Sequence, residues 1–151
     1  MKRSLLLLIL TLAGAAIGVV TYHFWLSPRA RIKSVVEDTA RAFLANNQQA
    51  ILDNISPEFE HRSITKPMVE VNLAAYFREF QSTKVILSDH CIQVRGNQAI
   101  DSTGAVVLAS RQGERFFILG SFASPVPIAI RLKKHRQWQI SGVEGLNLER
   151  F

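Results

Sequence analysis

A chain of 151 residues, 48% of them hydrophobic and with a formal charge of +6, is long enough for one domain with a modest core and too short for two. Its single cysteine, Cys91, rules out an intramolecular disulfide and reads as a small buried hydrophobe. The 18 basic residues are scattered among 12 acids rather than gathered into a stripe, so nucleic acid is not an expected partner.

Residues 1–27 read as a transmembrane anchor. From Leu5 to Leu26 there is no Asp, Glu, Lys or Arg, and a helix of that length covers a hydrocarbon core of about 30 Å. Lys2 and Arg3 before the run, and Tyr22, Phe24 and Trp25 at its far end, place the N-terminus in the cytoplasm and the remaining domain on the periplasmic side of a bacterial inner membrane. The competing reading is a secretory signal cleaved near Ala13-Gly14-Ala15, but the apolar run continues well past that site. Without Lys2 and Arg3, 16 basic residues face 12 acidic ones, leaving +4 on the exported part.

Ser27-Pro28 ends the anchor and opens a new helix, because serine caps a first turn in which proline is tolerated. In that helix Ile32, Val35, Val36, Ala40, Phe43 and Leu44 form one apolar stripe. Asn46-Asn47 breaks it, and Ala50, Ile51, Leu52 and Ile55 suggest a short second helix ending before Ser56-Pro57. A third helix starts around Thr65 to Pro67, with Val69, Leu73, Tyr76, Phe77 and Phe80 inward. From there the pattern turns to strands over Val85–Val94, Ala99–Ser110, Arg115–Phe122, Val126–Lys134 and Trp138–Val143. The clearest alternation puts Val126, Ile128, Ile130 and Leu132 inward. Phe116-Phe117-Ile118-Leu119, apolar on both faces, reads as a central buried strand, with a surface for another chain as the alternative. Lys133-Lys134-His135-Arg136 reads as a solvated hairpin tip that can also meet anionic lipid or an acidic partner.

The expected fold class is α+β: three helices packed on a curved antiparallel sheet, over residues 28–151. The order of elements resembles the nuclear transport factor 2-like superfamily, the cone-shaped or SnoaL-like fold. The local echoes are Leu52-Asp53-Asn54-Ile55-Ser56-Pro57-Glu58-Phe59, Tyr76-Phe77 and the closing Trp138-Gln139-Ile140. No pair of strands is legible between the second and third helices, where many members have one. The resemblance implies a cone that holds a small apolar ligand or a sheet face that pairs with a second copy or another protein. It also implies, in the catalytic members, an Asp or an Asp–His pair inside the cone.

Candidates for proton transfer are Asp101, His90 and Asp89 on expected strands, with Tyr76 on the third helix as a hydrogen-bond donor. None matches a family catalytic motif. An apolar setting beside Ala99, Ile100 and Val106 would make Asp101 a base, although a solvent-facing position near Ser102-Thr103-Gly104 is the favoured expectation. Asp89-His90-Cys91 has the residue types of a zinc site, but strand alternation sends His90 to the face opposite its neighbours, so no metal is expected. No glycine-rich phosphate loop or nucleophile elbow is present, so no cofactor is expected either.

The leading functional expectation is a single-pass, membrane-anchored binding or assembly module, since tethering concentrates a domain near membrane partners. An isomerase or dehydratase acting on a hydrophobic substrate is the alternative, and a lipid or small-ligand carrier a third. A buried carboxylate in an open cone favours chemistry; a cone filled by Phe77, Phe80, Phe116 and Trp138 favours a scaffold.

Overall fold

The computed structural model describes residues 27–145 and Gly18. Apart from Gly18 and Ser27, the expected anchor therefore lies outside the described residues. Among the described residues no helix is long and apolar enough to cross a membrane.

Helix α1 (Pro28–Leu44) opens where the Ser27 hydroxyl accepts a hydrogen bond from the Ala30 amide at 3.2 Å. A period of about 3.6 residues carries its buried stripe from Ile32 through Val36 to Ala42 and Phe43. Leu44, expected on that stripe, falls past it and is 55% exposed. Asn46 turns the chain in the left-handed region at φ 50°, and Asn47 caps α2 (Gln48–Asp53). Ile55 lies beyond α2 and docks on the sheet: the Ile140 amide donates to the Asn54 carbonyl, and the Ser56 amide to the Ile140 carbonyl, both at 2.8 Å.

A hairpin follows, β1 (Glu60–His61) with β2 (Ile64–Thr65), before α3 (Lys66–Glu79). It corrects the expectation that no strand pair separates the second and third helices. Two-residue strands are too short to show a period of two.

The main antiparallel sheet comprises β3 (Ser82–Arg95), β4 (Gln98–Arg111), β5 (Glu114–Leu119), β6 (Val126–Lys134) and β7 (Trp138–Glu144), in the order β3-β4-β6-β7 with β5 paired to the far end of β4. Positive φ at Gly96, and at both Gln112 and Gly113, gives the tight turns that join β3 to β4 and β4 to β5. The inner face, led by Ile128, Ile130, Leu132, Trp138 and Ile140, packs on Ile32, Val36, Ile51 and Leu52.

Two expectations about this sheet need correction. Strand β5 is not central: it pairs only with β4, so Phe116 and Phe117 are 38% and 44% exposed. Cys91 is exposed, because it pairs with Ser102 on the outer face. The β6–β7 tip is exposed at Lys134, His135 and Arg136, and Lys133 reaches the Glu58 carboxylate.

Leu132 is 1% exposed, so Leu132→Ala is expected to cost about 2–5 kcal/mol in urea denaturation. Lys133 holds the Glu58 carboxyl below its ordinary range. The stabilisation from that pair is thus present above the unfolded carboxyl range and lost as pH falls through the lowered folded one. Glu58→Gln is expected to be slightly less stable than wild type at neutral pH, with the difference gone in acid.

Candidate functional site

Strands β3 and β4 pair in register from Ser82↔Ser110 to Ser88↔Gly104, and again from Cys91↔Ser102 to Arg95↔Gln98. Asp89 and His90 oppose Thr103 alone, which is a bulge. Asp89 takes up the extra residue in the left-handed region at φ 57°, a conformation that aspartate tolerates better than most residues. The Thr103 hydroxyl donates to the Ser88 carbonyl at 2.6 Å, satisfying an oxygen beside the break.

The bulge turns His90 inward, where its Nδ1 lies 2.7 Å from Oδ2 of Asp101. Asp101 is 0% exposed, and its register partners Ile92 and Ile130 flank it on the inner face. The solvent-facing position favoured for Asp101 is therefore overturned: β4 presents Ala99, Asp101, Thr103 and Ala105 to the core, and the polar turn it was assigned to is continuous strand. Oδ1 of Asp101 has no hydrogen-bond partner among the described residues. A carboxylate on Nδ1 fixes the ring so that Nδ1 carries the proton and Nε2 presents its lone pair.

The His90 side chain is 12% exposed, and it sits where two clefts between α1 and β3 meet. One, of about 300 Å³, is bounded by Glu37, Ala40, Arg41, Leu44, Val85 and Leu87. The other, of about 570 Å³, is bounded by Arg29, Ala30, Lys33, Cys91, Ile92 and Gln93. Asp101 lines neither. The arrangement is a buried carboxyl, an imidazole held by it, and a partly apolar groove on the far side of the ring.

Tyr76 is not part of this site. Its hydroxyl is 2.9 Å from that of Thr83, and its ring packs on Phe43, Phe77 and Phe80. Thr83 pairs with Ala109, eight positions along β4 from Asp101, or about 26 Å. Burial pushes the Tyr76 phenol above its ordinary range, against the opposing effect of the bond to Thr83. Asp89 is exposed, and its role is backbone geometry. The bulge turns His90 inward while Cys91 is exposed, although both border the larger cleft. No group of three or more metal-ligating side chains exists among the described residues. His61, on β1, is buried with Nε2 unpartnered among the described residues. The α1 residues that border the clefts carry no sequence motif; only the packing of α1 along β3 identifies them.

No family model and no curated protein matches the chain. Solved structures do match in shape. A protein proposed to be an aromatic ring hydroxylase, from Novosphingobium aromaticivorans, superposes with a TM-score of 0.66 at 10% identity, over 76% of this chain and 85% of that one. A proposed scytalone dehydratase from the same organism gives 0.62 at 11% identity, over 79% and 87%. A nuclear transport factor 2-like protein from Cytophaga hutchinsonii gives 0.62 at 10% identity, over 78% and 95%. The domain has the nuclear transport factor 2-like, SnoaL-like cone fold. Identities this low establish the fold and no activity.

Removing one partner of a buried pair strands the other, whereas replacing both by apolar groups does not. His90→Leu alone is expected to cost about 3–5 kcal/mol, because it leaves the Asp101 carboxyl wholly unpartnered, while His90→Leu with Asp101→Leu recovers most of that loss. Chemical denaturation of the single and double variants measures both.

Proposed function

We propose that the domain binds a small hydrophobic molecule and moves a proton on it, as an isomerase or dehydratase does, with His90 as the base and Asp101 as the residue that orients it. The observation that carries this reading is the fully buried Asp101 carboxyl bonded to an inward-turned His90. Nε2 of His90 takes a proton from a carbon next to a carbonyl, and Asp101 stabilises the imidazolium that forms. Returning that proton to another carbon completes an isomerisation. Giving it to a departing hydroxyl releases water and forms a carbon–carbon double bond.

The cone interior is packed with Ile32, Val36, Leu132 and Trp138, which taken alone favours the scaffold reading, so the catalytic reading places its substrate in the α1–β3 groove that His90 borders. The apolar run Leu5 to Leu26 supports a domain held at a membrane on its periplasmic side, where hydrophobic substrates partition. The assembly reading draws on a separate feature: Phe117 and Phe122, at 44% and 65% exposure, stack edge to face on the outer side of the sheet. That pair supports a protein partner or a second copy there, and it is compatible with chemistry in the groove.

Proton transfer is testable without the natural substrate. The full-length protein, incubated in deuterated buffer with a panel of hydrophobic ketones that includes both neutral and carboxylate-bearing members, is expected to exchange α-protons of some member with solvent. His90→Gln and Asp101→Asn are expected to lower that rate by about 10²- to 10⁴-fold. Exchange no faster than buffer across the panel, read by proton NMR, overturns the catalytic reading and leaves the assembly module.

A further inference from the structure

We propose that the groove beside His90 takes an amphipathic anion, with Arg29 and Lys33 holding a carboxylate or phosphate head and the apolar body lying against Ala40, Leu44, Val85 and Leu87. The inference deepens the reading of His90 as facing the ligand, and it rests on charge placement. Arg29 and Lys33 border the larger cleft, whose lining includes no acidic residue. Arg41 and Lys84 border the smaller one with Glu37. The two cleft linings together hold four cations and His90 against one acid, Glu37, with Arg41 also paired to Asp38 outside the lining.

Lys33 and Glu37 approach to 3.7 Å with side chains 51% and 46% exposed, a solvated contact that contributes little and exchanges readily for another anion. Arg41 is paired with Asp38 and so adds little net charge to the groove, whereas Arg29 has no ion-pair partner among the described residues. The first turn of α1 contains no acid. A helix start favours negative charge, so Arg29 there is unfavourable to the isolated helix and adds to a positive field that an anion relieves. The opposite end of the groove is apolar at Leu44, which is 55% exposed and continues onto Val85 and Leu87. At about 1.5 Å per residue Lys33 lies about 10 Å from Ala40 along α1 and about 16 Å from Leu44, so a short molecule headed at Lys33 reaches Ala40 and Leu87 and a longer one Leu44, with His90 beside its path.

The probes are phenylbutyrate and its uncharged analogue phenylbutanol, titrated calorimetrically into the full chain in phosphatidylcholine nanodiscs. Wild type is expected to bind the acid about 10- to 100-fold more tightly than the alcohol, the size of one or two charge-assisted hydrogen bonds. Arg29→Glu with Lys33→Glu is expected to abolish that preference without unfolding α1, since acids suit its first turn. Equal binding of the two probes by wild type, or an undiminished preference in the charge-reversed variant, overturns the proposal. Repeating the titration in phosphatidylglycerol nanodiscs separates two sources of the same chemistry. Loss of phenylbutyrate binding there assigns the site to lipid headgroups, and retention assigns it to a diffusible amphiphile. His90→Gln is expected to keep the charge preference, so failed proton exchange with an intact preference sinks the catalytic reading alone.

Discussion

The arrangement of the site depends on one interruption in the pairing of two long strands. Were β3 and β4 in continuous register, the position opposite Thr103 would be filled by one residue, and the side chain on each side of it would follow the strand's alternation. Two residues occupy that position instead, Asp89 in a left-handed backbone conformation and His90 turned to the interior. The break therefore brings an imidazole to the one carboxyl that β4 buries. It also leaves the ring at the seam where α1 crosses β3, the only route from Asp101 toward either cleft that its hydrogen bonds describe.

Such a pair is hard to account for as a stabilising device. An inner-face position between Ile92 and Ile130 suits a leucine or valine, and Oδ1 of Asp101, without a hydrogen-bond partner among the described residues, is an energetic liability in that setting. Proteins keep such liabilities chiefly where activity requires them. The same tension appears at Asp89, whose left-handed conformation a glycine would adopt more easily. It appears again at Arg29, placed at the end of a helix that prefers the opposite charge. Asp101 and Asp89 meet at the bulge that sets His90, and Arg29 borders a cleft that His90 also borders.

Much of this fold was legible in the residues themselves. The cap at Ser27, the break at Asn46-Asn47, the apolar stripe of α1 and the alternation of β6 pointed to element order and type, because each is a local signal. The short β1–β2 hairpin was not legible, since two residues carry no period. The exposure of Phe116 and Phe117 was hidden because an apolar strand looks the same in the middle of a sheet as on a short branch of it. Asp101 and His90 could be named as candidates, yet their meeting could not be foreseen: it depends on a one-residue slip in register, and the polar run Ser88-Asp89-His90 that marks it reads equally well as ordinary strand. The cleft residues of α1 were beyond reach, because they acquire meaning only from the helix lying along β3.

Strand β3 closes one side of the sheet, with β4 as its sole strand partner among the described residues. A fourteen-residue border strand with an unbroken row of free amides and carbonyls is a template for adding a strand from another molecule, the first step of sheet aggregation. The break at Asp89 and His90 divides that row and bends it, and Lys84 and Arg95 place charges near its two ends. The feature that brings an imidazole to Asp101 thus also interrupts the margin of the sheet, so the same two residues bear on both.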